Sequence, residues 1–203
     1  MNPSPLQTLG VTGGIGSGKS TVCRLLEALG ARVFYADEVA KRLMAEDPAL
    51  RQAIREAFGP ESYGPDGRLN RAYLAKRVFH DPEALRQLNA LVHPRVLAAF
   101  EQAREQATRD QVPLLVLEAA LLFESGADRL VDHVLVVEAP EAERIRRVTE
   151  RDGISPEQVR ARMQHQLSPE ELRRRADFVI ENTGSLETLR QQVENLYRQL
   201  TAA

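Results

Sequence analysis

Little in this 203-residue chain asks for a special environment. A single cysteine, Cys23, rules out an internal disulfide, and it reads as a small packing residue of a helix rather than a catalytic thiol. No apolar run is long enough to span a bilayer, so no membrane is expected as partner. The opening residues, Met1-Asn2-Pro3-Ser4-Pro5, lack the basic and apolar parts of a secretion signal. Net charge is only −2, so no field of one sign draws the chain to nucleic acid or to an anionic surface. The four histidines, His80, His93, His133 and His165, show no metal-ligand spacing. Internal repeats, low-complexity stretches and linkers are missing too. These absences describe a cytoplasmic protein of one domain, 1–203, with room for an α/β core and small inserts and with no obligate protein partner implied.

What is present is concentrated near the start. Gly13-Gly14-Ile15-Gly16-Ser17-Gly18-Lys19-Ser20, with Thr21 directly after, fits the phosphate-binding pattern G-x-x-x-x-G-K-[ST]. Leu6–Val11 before it reads as a buried strand. After it, Val22, Leu25, Leu26 and Leu29 recur at helical spacing, and Gly30 stands where a helix stop belongs. Glycines let successive N–H groups turn toward one point, where the helix adds the positive end of its dipole. Gly14, Gly16, Ser17, Gly18, Lys19, Ser20 and Thr21 are therefore expected to seat the phosphates of ATP. Lys19 should reach the terminal phosphates, Ser20 should place its hydroxyl on Mg²⁺, and Thr21 is near enough for an inner phosphate. The D-x-x-G and N-K-x-D signatures of guanine-nucleotide switches do not occur. The chain is also too short for a motor or transporter ATPase with a partner domain. A small-molecule kinase remains.

The rest of the chain alternates strands and helices. Ala31–Asp37, Pro113–Glu118, His133–Val137 and Phe178–Ile180 read as further strands, which with the first make a mostly parallel five-stranded sheet flanked by helices: a three-layer α/β fold. Helices are expected over about 38–58 with a break at Asp47-Pro48, over Arg71–Phe79 and Pro82–Val92, and from Pro94 to about Arg109. Ser155-Pro156-Glu157 and Ser168-Pro169-Glu170 open two more, each with a cap, a proline and an acid in the first turn. Ser185–Leu200 closes the chain, with Leu186, Leu189, Val193, Leu196 and Leu200 toward the core. The core is then about 6–37, 110–140 and 176–203. A helical insert at about 38–109 would cover the acceptor, and a helical lid would run over about 141–175.

Two strand ends carry acids, where open α/β sheets bind ligands. Asp37 is expected to take the proton of an attacking hydroxyl, and Glu118 to support Mg²⁺; the plainer alternative for each is a capping or solvated acid. Arg147 and Arg151 are four apart and share a helix face, so a lid could carry both over the phosphates. The plainer reading, a solvated helix laced with ion pairs, is the one adopted for Arg160 and for Arg173 to Arg175. His93, before Pro94, either contacts substrate or caps a helix.

These residues resemble the dephospho-CoA kinase family over nearly the whole chain. Thr12–Val22 is similar to the family's opening motif. Ala36-Asp37 with Val39-Ala40 resembles its Asp-Ala-Asp segment, with Tyr35 in place of the first acid. Leu69-Asn70-Arg71 with Val78-Phe79, then Leu88-Asn89 with His93-Pro94, is similar to its acceptor-side helices. Leu121-Leu122-Phe123-Glu124 resembles its Pro-Leu-Leu-Phe-Glu stretch, with Ala120 for the proline. Arg147-x-x-x-Arg151-Asp152, Gln166, Ala176-Asp177 and Asn182 resemble its lid and final strand. The resemblance implies ATP- and Mg²⁺-dependent phosphorylation of the ribose 3′-hydroxyl of dephospho-CoA, giving CoA. Asp37, Lys19 and Arg147 would carry the chemistry, with Arg147 and Arg151 in the lid. Thr12, Asp37 and His93 would meet the acceptor, and Asn182 would help frame the adenine. Glu118 stands where the family often has Asp, so its reach to Mg²⁺ changes by a methylene, through water if not directly. A kinase of the same architecture for another nucleoside, nucleotide or metabolite is the alternative; a non-catalytic nucleotide-binding module is the second.

Overall fold

Apolar runs form five strands, β1 (Gln7–Thr12), β2 (Arg32–Tyr35), β3 (Leu114–Glu118), β4 (His133–Glu138) and β5 (Phe178–Glu181). Nine helices accompany them among the described residues: α1 (Lys19–Ala28), α2 (Ala36–Glu46), α3 (Pro48–Phe58), α4 (Arg71–Phe79), α5 (Pro82–Arg109), α6 (Glu141–Asp152), α7 (Pro156–Met163), α8 (Pro169–Arg175) and α9 (Leu186–Thr201). The structure, a computed structural model, describes residues 6–79 and 81–202; the opening five residues and His80, both weighed above, lie outside them. The chain divides into two units, Met1–Tyr35 with Ala103–Ala203, and Ala36–Gln102.

The first unit holds the sheet. Its strand order is β2-β3-β1-β4-β5 and every neighbouring pair is parallel, so the expected mostly parallel sheet is wholly so. Side chains alternate across a strand. Leu9, Val11, Leu114, Val116, Leu135, Val137 and Ile180 therefore share one face, where they pack with Val22, Cys23 and Leu26 of α1 and Leu189, Val193 and Leu196 of α9. Leu115, Leu117, Val134 and Val136 alternate to the other face and are buried too. Gly10 lies on that second face, where a Cβ would press into Leu122 and Val131. Each large side chain so buried contributes about 1.5–3 kcal/mol. Leu186, expected in the core, is 59% exposed: it is the first residue of α9 and its stripe runs on past the last core layer.

Acids pin the strand starts. Asp132 Oδ2 accepts from the Thr8 N–H (2.8 Å) and hydroxyl (2.7 Å), and Asp177 Oδ2 accepts from the Val134 N–H at 2.8 Å. These bonds hold β4 against β1 and β5 against β4 in one register.

In the second unit, Asp47 caps α3 by accepting from the N–H groups of Ala49 and Leu50, as the Asp-Pro break suggested. Tyr63 sends its hydroxyl to the Met44 carbonyl at 2.7 Å, and Tyr73 sends its own to Phe58 at 2.8 Å. Two expectations fail here. The helices Pro82–Val92 and Pro94–Arg109 are one continuous helix, α5, with Pro94 inside it. Proline removes a single N–H there, and the Arg95 guanidinium donates to the Leu91 carbonyl at 3.0 Å in the disturbed turn. Asp37 is not at a strand end: α2 begins at Ala36 directly after β2, and Asp37 with Glu38 sits in its first turn, where the helix dipole favours acids.

Candidate active site

β1 ends at Thr12, and six residues turn the chain into α1. The Ser17 N–H donates to the Gly14 carbonyl at 3.0 Å, closing a turn with Ile15 and Gly16 at its corners. Gly16 has φ 80°, the conformation a type II turn requires at its second corner. Gly18, at φ 105°, is the N-cap of α1. This helix has no side-chain cap and no acid in its first turn. Its first N–H groups and the positive end of its dipole are thus left for an anion.

Lys19 is 9% exposed, and its Nζ donates to the Gly13 carbonyl at 2.9 Å. That bond folds the ammonium back over the loop instead of out into water. Ser20 is exposed at the start of α1 and Thr21 is half-buried. Thr12 and Ser17 are fully buried, and the hydroxyl of each lacks a hydrogen-bond partner.

Other elements grip this loop. The Asn182 side-chain amide donates to the Ser17 carbonyl at 2.8 Å, while the Asn182 N–H donates to Glu138 at 2.7 Å. Asn182 was expected near an adenine; its amide is spent on the loop itself. Arg147 directs its guanidinium to the carbonyls of Gly16, Ser17 and Asn182, each at 3.5 Å. Arg151 does not join it. Its Nε and Nη2 are bidentate on Asp152, at 2.7 and 3.1 Å, and Arg162 meets the same carboxylate. Arg160 faces Glu141 and Glu157, Arg173 bridges Glu138 and Glu181, and Arg174 and Arg175 share Glu171, the ion-paired surface their plainer reading called for.

Glu118 closes β3, in register with Val11 on one side and Tyr35 on the other. That places its carboxylate beside the strand that feeds the loop. Tyr35 turns its hydroxyl to Glu27 of α1 at 3.2 Å, and burial pushes its phenol well above the ordinary range. Cys23 lies in the core under the loop, and burial first, then the charges of Glu118 and Glu27, push its thiol far up; it is a packing residue. Asp37 and His93 belong to the other unit. Asp37 is exposed, and burial lowers the pKa of the His93 imidazole below its ordinary value.

Two more residues meet the loop, of which Gln166 entered the sequence reading only through the family resemblance, with no role given, and Arg144 had no role given either. Arg144 of α6 lays its guanidinium against Gly14, where a Cβ would collide with it. Gln166, between α7 and α8, accepts from the Ile15 N–H at 2.8 Å and donates to the Ala120 carbonyl at 2.9 Å. Both contacts with the loop span over a hundred residues, so neither spacing nor periodicity could reveal them.

A Cβ at Gly18 would run into the Asn182 amide, on a backbone that L residues avoid. Gly18→Ala is therefore expected to weaken nucleotide binding about tenfold or more, since such strain costs on the order of 1–3 kcal/mol. A fluorescent-nucleotide titration checks this; an unchanged affinity would remove Gly18 and Asn182 from the account of the seat.

A family model described as dephospho-CoA kinase matches residues 7–188. The dephospho-CoA kinase of Salinibacter ruber is 59% identical over 97% of this chain and 98% of its own length. That of Chlorobaculum tepidum is 46% identical over 95% and 94%. TT1252 from Thermus thermophilus, a crystal structure, superposes with a TM-score of 0.82 at 42% identity, covering 96% of this chain and 98% of that one. Shikimate kinase from Acinetobacter baumannii, at 16% identity and a TM-score of 0.53, shares the P-loop kinase fold alone. Sheet order, glycine loop and these full-length matches agree: this chain belongs to the dephospho-CoA kinase family.

Proposed function

We propose that the chain transfers the γ-phosphoryl group of ATP to the ribose 3′-hydroxyl of dephospho-CoA, the last step in making CoA. The observation that carries this reading is the uncapped N-terminus of α1 behind a glycine loop, with the Lys19 ammonium folded over it, in a chain of this family. Gly14, Gly16, Ser17, Gly18, Lys19, Ser20 and Thr21 form the phosphate seat. Lys19 holds positive charge where the transferring group gains negative charge, and Arg147 adds a second cation from α6. Arg151 reaches the phosphates only by leaving Asp152. Asp37 accepts the proton of the 3′-hydroxyl as that oxygen attacks phosphorus, and ADP departs. Thr12 and His93 serve the acceptor side, and Asn182 serves the nucleotide by fixing the loop. The core, the insert at 38–109 and the lid at 141–175 divide these tasks within one domain.

The residues fit Mg²⁺ as a shared ion rather than a caged one. Among the described residues no group of three or more His, Cys, Asp or Glu could hold a metal. Mg²⁺ is commonly bound by one or two side chains together with substrate phosphates and water. Ser20 would supply a hydroxyl and Glu118 a carboxylate, directly or through water. The ion would supply positive charge against the charge developing on the phosphates. Among the described residues no helix is long and apolar enough to cross a membrane.

Incubation with ATP, Mg²⁺ and dephospho-CoA, followed by mass spectrometry, is expected to give CoA phosphorylated only at the 3′-hydroxyl. Nucleosides and nucleotides offered in parallel should stay unmodified. Phosphorylation of one of those with no CoA formed would leave a P-loop kinase but remove this acceptor. Nucleotide binding with no product from any acceptor would favour a non-catalytic module.

A further inference from the structure

The tip of the glycine loop is held from behind by a region whose own function is otherwise the lid. Ile15 occupies the first corner of the Gly14–Ser17 turn, and the N–H of that corner has no partner inside a type II turn. Gln166 accepts it at 2.8 Å and at the same time donates to the Ala120 carbonyl at 2.9 Å, two residues past the strand that ends in Glu118. Both halves of one amide are thus used, each on backbone, and each on a segment beside the phosphate seat.

Gln166 is itself anchored. The next residue, Leu167, donates its N–H to Glu124 at 2.9 Å, and the Arg175 guanidinium lies 5.6 Å from the centre of the Phe123 ring. The Ile15 side chain packs with Ile145 and Val148 of α6 and Val159 of α7, together with Ile154 and Met163. Gly14 is covered by Arg144. The rear of the loop at Ile15 is therefore committed to the segment from α6 to α8, while the start of α1 keeps its uncapped N–H groups for phosphate.

We propose that Gln166 is a positioning residue for phosphoryl transfer: it sets the turn that aims the loop, and it ties the loop's shape to the segment between α7 and α8. The proposal rests on the function proposed above for the rate it affects, but not for the bond itself. Gln166 touches no reacting atom. It acts through Ile15, and through Ala120 on the connection that leaves β3. If the segment around Met163–Ser168 shifts, the amide pulls or releases both at once. A carboxylate at this position keeps the acceptor for Ile15 and loses the donor to Ala120; a thioether keeps the volume and loses both.

Residue-resolved amide exchange on the full chain, with no substrate present, is the first test. Gln166→Met is expected to speed exchange of the Ile15 N–H about tenfold or more while the β1 amides keep their rates; Gln166→Glu should keep Ile15 protected. Steady-state kinetics are the second. Gln166→Met should lower kcat about 10- to 100-fold, the scale of a misplaced reacting group, with KM for dephospho-CoA within about twofold of the parent. Equal Ile15 exchange in parent and Gln166→Met would overturn the proposal, and so would faster exchange with kcat unchanged. If Gln166→Met does not fold, Gln166→Glu decides: loss of Ile15 protection in that variant also overturns it. Should the parent make no CoA, the acceptor assignment falls alone, because exchange at Ile15 and the rate of ATP hydrolysis still report on Gln166.

Discussion

Asp37→Asn is expected to lower kcat about 10²- to 10⁴-fold, the range a general base contributes, while nucleotide affinity stays within about twofold. The substitution keeps size and hydrogen-bonding shape and removes only the ability to take a proton. Asp37 is exposed in the first turn of α2, away from any core cluster, so the fold has no stake in its charge beyond the helix dipole. That dipole term is about 0.3–1 kcal/mol, too small to unfold the chain. CoA formation measured by mass spectrometry, beside a nucleotide titration, separates the two effects. A variant with near-normal turnover would show that the 3′-hydroxyl loses its proton elsewhere and that Asp37 only begins a helix. Equal losses of turnover and nucleotide binding would point instead to a structural fault.

Lys19→Met should be as severe and should differ in pattern. Removing one preorganised donor from a site of developing charge costs about 10²- to 10³-fold in kcat. On the proposed role Lys19 also meets the phosphates before reaction, so KM for ATP is expected to rise with the loss of kcat. Asp37→Asn should leave KM for ATP alone. The side chain is buried and bonded to the Gly13 carbonyl, and methionine keeps the apolar stem while removing the ammonium. The variant should fold, with a melting temperature near that of the parent. Full activity in Lys19→Met would leave the loop as a turn without a role in transfer.

Much of the fold is legible in the sequence because its signals are local. The Ser155 and Ser168 caps, with prolines directly after, mark the starts of α7 and α8 to the residue. The runs ending at Glu118 and Val137 give buried strands because parallel strands under helices are apolar on both faces. Pro94 is where local reasoning fails: proline usually opens or ends a helix, and only the continuity of α5 on either side overrides that preference. Asp37 shows the same limit in reverse, since nothing in Phe34-Tyr35-Ala36-Asp37 says where the strand yields to a helix.

The site divides along the same line. The glycine loop is contiguous, so seven of its residues are read from one motif. Asn182, Gln166 and Arg144 meet that loop across more than a hundred residues, and their roles in holding it follow only from the fold. Arg147 and Arg151 share a helix face by spacing, but spacing is blind to Asp152, which takes the second arginine, while the first faces both the loop and Glu143 at 3.8 Å. Asp132 and Asp177 fasten strand starts, a role likewise carried by contacts between distant segments.

The arginine-rich stretch from α6 to α8 has a consequence for how substrates arrive. Apart from Arg144 and Arg147, which face the glycine loop, its guanidinium groups meet neighbouring carboxylates, from Glu143 and Glu150 on Arg146 to Glu171 on Arg174 and Arg175, and the whole chain carries a net charge of −2. A net charge of −2 gives no overall attraction for anionic substrates, and salt screens exposed charges beyond a Debye length of about 8 Å. Association with ATP is therefore expected to depend only weakly on ionic strength, without the acceleration that an open basic surface provides. Selection among anionic metabolites is then expected to begin at contact, at the uncapped start of α1 beside the Lys19 ammonium.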